Sequence, residues 1–110
     1  MRHTETRIYR SSLELVGLCR EVLDSLPPGF AFLADQLRRA SSSVLLNFAE
    51  GCGKQTRRDR KKYFAIAKGS AYEIAAILDF GHVFAIVSGD VRARGERLCD
   101  CVAAMVHRYH

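Results

Sequence analysis

QLRRASSSVLLNFAEGCG, residues 36–53, is the stretch on which the fold turns. Leu37, Ala40, Val44 and Phe48 continue a row begun at Leu33, at the three-to-four spacing of one helix face. The row predicts a helix from about Phe30 to Glu50, ended by Gly51-Cys52-Gly53, because glycine just past a helix end takes the left-handed conformation at no steric cost. Asn47 falls beside Phe48 on the packing side. A buried amide without a partner costs roughly 1–3 kcal/mol, so a polar contact is expected inside an otherwise apolar interface.

Working outward, Pro27-Pro28-Gly29 stops a preceding helix, since proline lacks the amide donor and restricts the residue before it. That helix spans about Thr4 to Leu26, with Ile8, Leu15, Cys19, Val22 and Leu26 on one stripe, Ser12 between them, and Leu18 and Leu23 widening it. Downstream, Thr56-Arg57-Arg58-Asp59 fits a capping box and opens a helix from about Arg57 to Phe84. Tyr63, Ile66, Ser70, Glu73, Ile77, Phe80 and Phe84 form its expected core stripe. A second row, Phe64, Ala67, Ala71, Ile74 and Leu78, is wider than one core uses and is expected to meet another subunit. Ser88 or Asp90 caps a last helix, residues 88–109, carrying Val91, Leu98, Cys101 or Val102, Met105 and Tyr109. Four helices with three short turns predict an all-α, antiparallel up-down-up-down four-helix bundle, one domain over residues 1–110.

Composition excludes several classes. A hydrophobic share of 48% with 26% charged residues is globular. No apolar run reaches the roughly 18 residues a membrane span requires, and MRHTETRIYR at the start lacks the apolar stretch of a secretory signal. The expected location is the cytoplasm. Cys19, Cys52, Cys99 and Cys101 read as free thiols, since the last two point apart on a helix. His3 and His82 stand alone, and His107 with His110 is an i, i+3 pair at a fraying end, read as adventitious. No nucleophile with an adjacent base and no phosphate-binding glycine loop occurs, so no catalytic residue, metal or cofactor is expected.

The most informative charged segment is KQTRRDRKK, residues 54–62, with six basic residues and one acidic in a chain of net charge +5. Lys54, Arg57, Arg58, Arg60, Lys61 and Lys62, with Lys68 further along, form a patch able to displace counterions from a phosphate backbone. The plainer reading is a solvated helix start. Positive charge at a helix N-terminus opposes the dipole by roughly a few tenths of a kcal/mol, which suggests a use for the cluster. No aromatic strand platform or groove-reading motif is present, so binding would be electrostatic and largely independent of sequence. Asn47, Glu50, Ser70 and Glu73 are expected as a buried polar network that fixes helix register or the subunit contact, with Arg38 and Arg39 either salt-bridged to Glu50 or Glu73 or joined to the basic face. Their pattern lacks the Glu-x-x-His pairs of a di-iron bundle.

Gln36, Arg38, Arg39 and Ala40, then Asn47, Ala49, Glu50 and Gly51, then Gly69, Ser70 and Glu73 stand at a joint spacing that resembles a known family. It is the small four-helix-bundle family named for proteins encoded in intervening sequences of bacterial 23S ribosomal RNA genes. That family is similar to the accessory variability determinant of diversity-generating retroelements. The resemblance covers about residues 33–78, with Phe48 and Tyr72 where aliphatic residues are more usual. It implies a homopentamer of four-helix protomers and, from the retroelement relatives, a basic surface that meets nucleic acid and a reverse transcriptase. The expectation is therefore a non-enzymatic homo-oligomer that presents a basic surface to RNA or DNA. The alternative is a protein–protein scaffold that binds no nucleic acid.

Overall fold

In a computed structural model that describes residues 1–109, four helices form: α1 (His3–Ser25), α2 (Ala31–Gly53), α3 (Arg57–Val83) and α4 (Gly89–Arg108). Local chemistry sets their ends. At the start of α1 the Glu5 carboxylate accepts from the Arg2 amide, the acidic half of a capping box. Gly29 provides the positive φ of 99° that turns the chain after the prolines. Thr56 Oγ1 accepts from Asp59 N–H at 3.1 Å, and Ser88 Oγ accepts from Val91 N–H at 3.1 Å, so Ser88 rather than Asp90 caps α4.

The end of α2 corrects the sequence expectation. The helix does not stop at Glu50 but runs to Gly53, and Gly51 lies inside it, buried. Its role is close approach. A Cβ there would stand 2.6 Å from the Phe64 ring, which stacks on Phe48 at 5.3 Å between centroids. The left-handed helix end falls instead to Ala85, with φ of 60°, where Ile86 N–H bonds Gly81 O and Ala85 N–H bonds His82 O.

Each helix packs on two others, in the cyclic order α1–α2–α3–α4, and α2 with α3 form the most extensive pair. The core takes Ile8, Leu15, Leu18, Cys19 and Val22 from α1, and Leu33, Leu37, Ala40, Val44 and Phe48 from α2. Ser12 is buried in that stripe and donates to Ile8 O at 2.9 Å. From α4 come Cys99, Val102, Ala103 and Val106, with Val102, not Cys101, facing inward. Val91, Leu98, Met105 and Tyr109 are packed on the edge of this core.

On α3 the two apolar rows exchange the roles expected of them. Phe64, Ala67, Ala71, Ile74 and Leu78 are the buried row, while Ile66, Phe80 and Phe84 are exposed at 41%, 39% and 54%. Of the expected stripe only Ile77 is buried, with Tyr63 and Ser70 half-buried and Glu73 outside. The physical reason is closeness. Small Ala67 and Ala71 let α3 lie tightly against its neighbours, which a row of large aromatic residues would hold apart.

The first turns of α1 and α3 and the last residues of α2 and α4 meet at one end, around Glu5, Arg60, Cys52 and Tyr109. At the other end Arg94 of α4 pairs with Glu21 of α1, and Phe30 meets Phe84 edge-on. A helix of 27 residues is about 40 Å long, so α3 runs nearly the whole 44 Å length of the molecule.

Candidate nucleic-acid interface

The end where Glu5 meets Arg60 carries a polar cluster that no local sequence pattern announced. Arg60 Nη2 lies 2.8 Å from Glu5 Oε2, with the two side chains only 16% and 5% exposed. Arg60 Nη1 also donates to Cys52 O at 3.1 Å and Lys54 O at 3.4 Å, satisfying the carbonyls that close α2. Its guanidinium lies 5.3 Å from the Phe64 ring centroid and 5.8 Å from that of Tyr109. Glu5 Oε1 accepts from the Arg2 amide at 2.8 Å. Burial alone would push the Glu5 carboxyl up, but the bonds from Arg60 and Arg2 outweigh it and hold the group down at about 2. The Tyr109 hydroxyl is buried beside this carboxylate without a well-aligned hydrogen bond.

Arg60 therefore does not belong with the free cations of its segment, and the sequence expectation is corrected on that point. Its charge is consumed inside the bundle. The available signal was its position, one turn before Phe64 on the row 60, 64, 67, 71, 74 that proves to be the buried one. Arg57, Arg58, Lys61 and Lys62 are exposed, and no ion pair engages them among the described residues. Lys54 pairs with Glu50 at 3.3 Å and lies 5.2 Å from the Tyr63 ring centroid. Lys68 Nζ lies 3.0 Å from His107 Nδ1. Lys61, Lys68 and His107 line one shallow cleft. The expected His107–His110 pair falls on His110, which is outside the described residues.

The fold adds cations that the linear segment did not contain. Arg7 of α1 and Arg108 of α4 line a cleft with Thr4, Ile8, Met105 and Tyr109, and Arg2 stands beside Lys54 and Arg57. Elsewhere charges are mostly matched: Arg20 with Asp24, Arg38 with Asp35, Arg92 with Asp79 and Arg94 with Glu21. Among the described residues, Arg10, Arg39 and Arg97 are the arginines away from this end that make no ion pair. Unpaired positive charge is thus concentrated at the end where α3 begins.

The polar set expected to be buried is mostly outside. Arg38, Arg39, Glu50 and Glu73 are exposed in the protomer. Arg38 answers Asp35 at 3.4 Å and Glu50 answers Lys54, and among the described residues neither arginine pairs with Glu50 or Glu73. The reason is the exchange of rows on α3, which turns Glu73 outward. A smaller network does form at the α2–α3 seam. Ser70 Oγ donates to Ser43 Oγ at 2.7 Å, and Asn47 Nδ2 donates to Ser43 O at 2.9 Å and Ser43 Oγ at 3.0 Å.

A family model described as 23S rRNA-intervening sequence protein matches residues 4–108, nearly the full length and all four helices. The chain belongs to this family. No curated protein gives a significant match. The polar residues of the recognised pattern (Gln36, Arg38, Arg39, Asn47, Glu50, Ser70, Glu73) line the outer surface and seam of α2 and α3, while its Ala40 and Gly51 are buried. Apart from Met1 and Leu13, every exposed large apolar side chain lies on α2, on α3 or at Phe84, which ends α3. Among the described residues no helix is long and apolar enough to cross a membrane, and no three His, Cys, Asp or Glu side chains converge as metal ligands would.

Proposed function

We propose that this member of the family is a non-enzymatic homo-oligomer of antiparallel, up-down-up-down bundles that binds RNA or DNA through the basic end of each protomer. The antiparallel order is supported by the meeting of the starts of α1 and α3 with the ends of α2 and α4. The observation that carries the binding reading is the row of unpaired, exposed Arg57, Arg58, Lys61 and Lys62, extended by Lys54, Lys68, Arg2, Arg7 and Arg108, in a molecule that pairs most of its other arginines. Each phosphate neutralised releases counterions, so affinity is salt-sensitive and nearly blind to sequence. The family's name, which refers to ribosomal RNA, agrees with a nucleic-acid association.

Oligomerisation is supported by the exposed apolar side chains of α2 and α3. Phe30, Phe32, Phe80 and Phe84 form a chain of ring contacts 4.6–6.2 Å apart, and Ile66 continues the same side of α3. A pentamer is what the family resemblance implies, and the cytoplasm is the compartment we assign. Light scattering coupled to size exclusion, with and without mixed RNA at two salt concentrations, tests the proposal. A single oligomer near five protomers that takes up RNA at low salt and releases it at high salt supports it. The same oligomer ignoring RNA at both salts favours a scaffold for a protein partner, a reverse transcriptase included.

A further inference from the structure

The basic end is not uniformly convex. Between the start of α1 and the α2–α3 turn lies a cleft of about 500 Å³ lined by Arg2, Glu5, Cys52, Lys54, Gln55, Arg57 and Arg60. Its floor is already neutral, because Glu5 and Arg60 satisfy each other at 2.8 Å. Its rim carries three further cations, Arg2, Lys54 and Arg57, and the amide of Gln55. Among the described residues only Lys54 of these has a carboxylate partner, the exposed Glu50 at 3.3 Å. Donors thus approach one concave space from two separate segments of chain.

We propose that this cleft takes a terminal phosphomonoester, such as the 5′-phosphate at the end of a nucleic-acid strand. The inference rests on the reading of the basic end as a polyanion interface and deepens it. An internal phosphodiester carries one charge and continues in both directions, which suits an open helix surface such as that of Arg58, Lys61 and Lys62. A terminal phosphate carries about −1.5 to −2 charges and three strong acceptor oxygens, and it needs only one exit for its chain. A concave set of arginine, lysine and amide donors distinguishes the two, because charge-assisted hydrogen bonds to arginine are directional.

The test uses the full-length protein and two RNAs of one sequence, one with a 5′-phosphate and one with a 5′-hydroxyl, read by fluorescence anisotropy at fixed salt. The expected preference for the phosphorylated strand is about tenfold, the equivalent of one charge-assisted hydrogen bond, and Arg2→Gln or Gln55→Leu collapses the ratio. Equal affinity for both strands, with salt sensitivity retained, overturns the end-binding cleft and leaves the general interface standing. A parallel nuclear magnetic resonance titration with uridine 5′-monophosphate reads the cleft without any strand. Shifts centred on the Gln55 side-chain amide support a phosphomonoester site, and in the absence of RNA binding they assign it to free nucleotide. Shifts absent, or spread over all basic residues, overturn it.

Discussion

Replacing Arg60 with leucine is the sharpest perturbation the fold offers. The substitution removes the guanidinium that lies 2.8 Å from Glu5 and leaves a carboxylate only 5% exposed, with the Arg2 amide and the neighbouring Tyr109 and Cys52 side chains to stabilise its charge. Stripping one partner from a buried pair costs about 3–5 kcal/mol. The Glu5 carboxyl, held at about 2 against an ordinary value of 4.5, sets a similar scale: a difference of that size is worth about 3 kcal/mol. For a chain of this length 1 kcal/mol moves the midpoint by about 4 °C, so Arg60→Leu lowers Tm by about 12–20 °C at pH 7.

The pH dependence flattens as well. In the native protein the carboxyl pKa is depressed, so its contribution is complete above about 4.5 and is lost as pH falls toward about 2. Without Arg60 the strongest influence holding the carboxyl down is gone, so its folded pKa moves up from about 2 toward the unfolded value. The variant then loses less stability than the parent as pH falls from about 4.5 toward about 2. Differential scanning calorimetry from pH 3 to pH 8 (roughly the span that brackets a carboxylate's usual titration) reads both effects, and Glu5→Leu with Arg60→Leu restores most of the loss. A Tm within about 2 °C of the parent and an unchanged pH profile would refute the argument that this pair clamps the bundle end.

Three other outcomes follow from the packing and the surface. Gly95→Ala places a Cβ against Leu78 Cδ1 and Leu18 Cδ2 in the core; overpacking of this kind costs about 1–3 kcal/mol, read as a lower urea midpoint at unchanged m-value. Ala85→Gly relieves a left-handed alanine at φ 60° and raises stability by up to about 1 kcal/mol in the same assay. Among the thiols, Cys101 is exposed, while burial pushes Cys19, Cys52 and Cys99 up to about 12, so a disulfide reagent at pH 8 modifies Cys101 fast and the other three slowly.

The fold was legible in the sequence where a helix had one apolar row. Leu33, Leu37, Ala40, Val44 and Phe48 on α2, and Ile8, Leu15, Cys19 and Val22 on α1, are the residues the spacing selected and the core contains. On α3 two adjacent rows compete, and side-chain size misleads: the row richer in large aromatic residues lies outside, and the row containing Ala67 and Ala71 packs. The same exchange accounts for the outward position of Glu73 and for Arg60, whose partner Glu5 is 55 residues away and belongs to no local pattern. Gly51 was correctly marked as special but for another reason, since it admits the Phe64 ring and does not end the helix. Of the basic cluster, Arg57, Arg58, Lys61 and Lys62 were evident from composition alone. Arg2, Arg7 and Arg108 join them only because the bundle brings its two chain ends to the start of α3.

The measurement closest to the central claim is the salt dependence of RNA affinity for the native chain and for a variant with Arg57, Arg58, Lys61 and Lys62 all changed to glutamate. With four to six phosphates contacted, the native protein should show a slope of log K against log salt of about −3 to −5, and the variant should retain no measurable RNA at any salt. Native affinity that is flat with salt, or a variant that binds as the native chain does, would contradict the assignment of this end to nucleic acid.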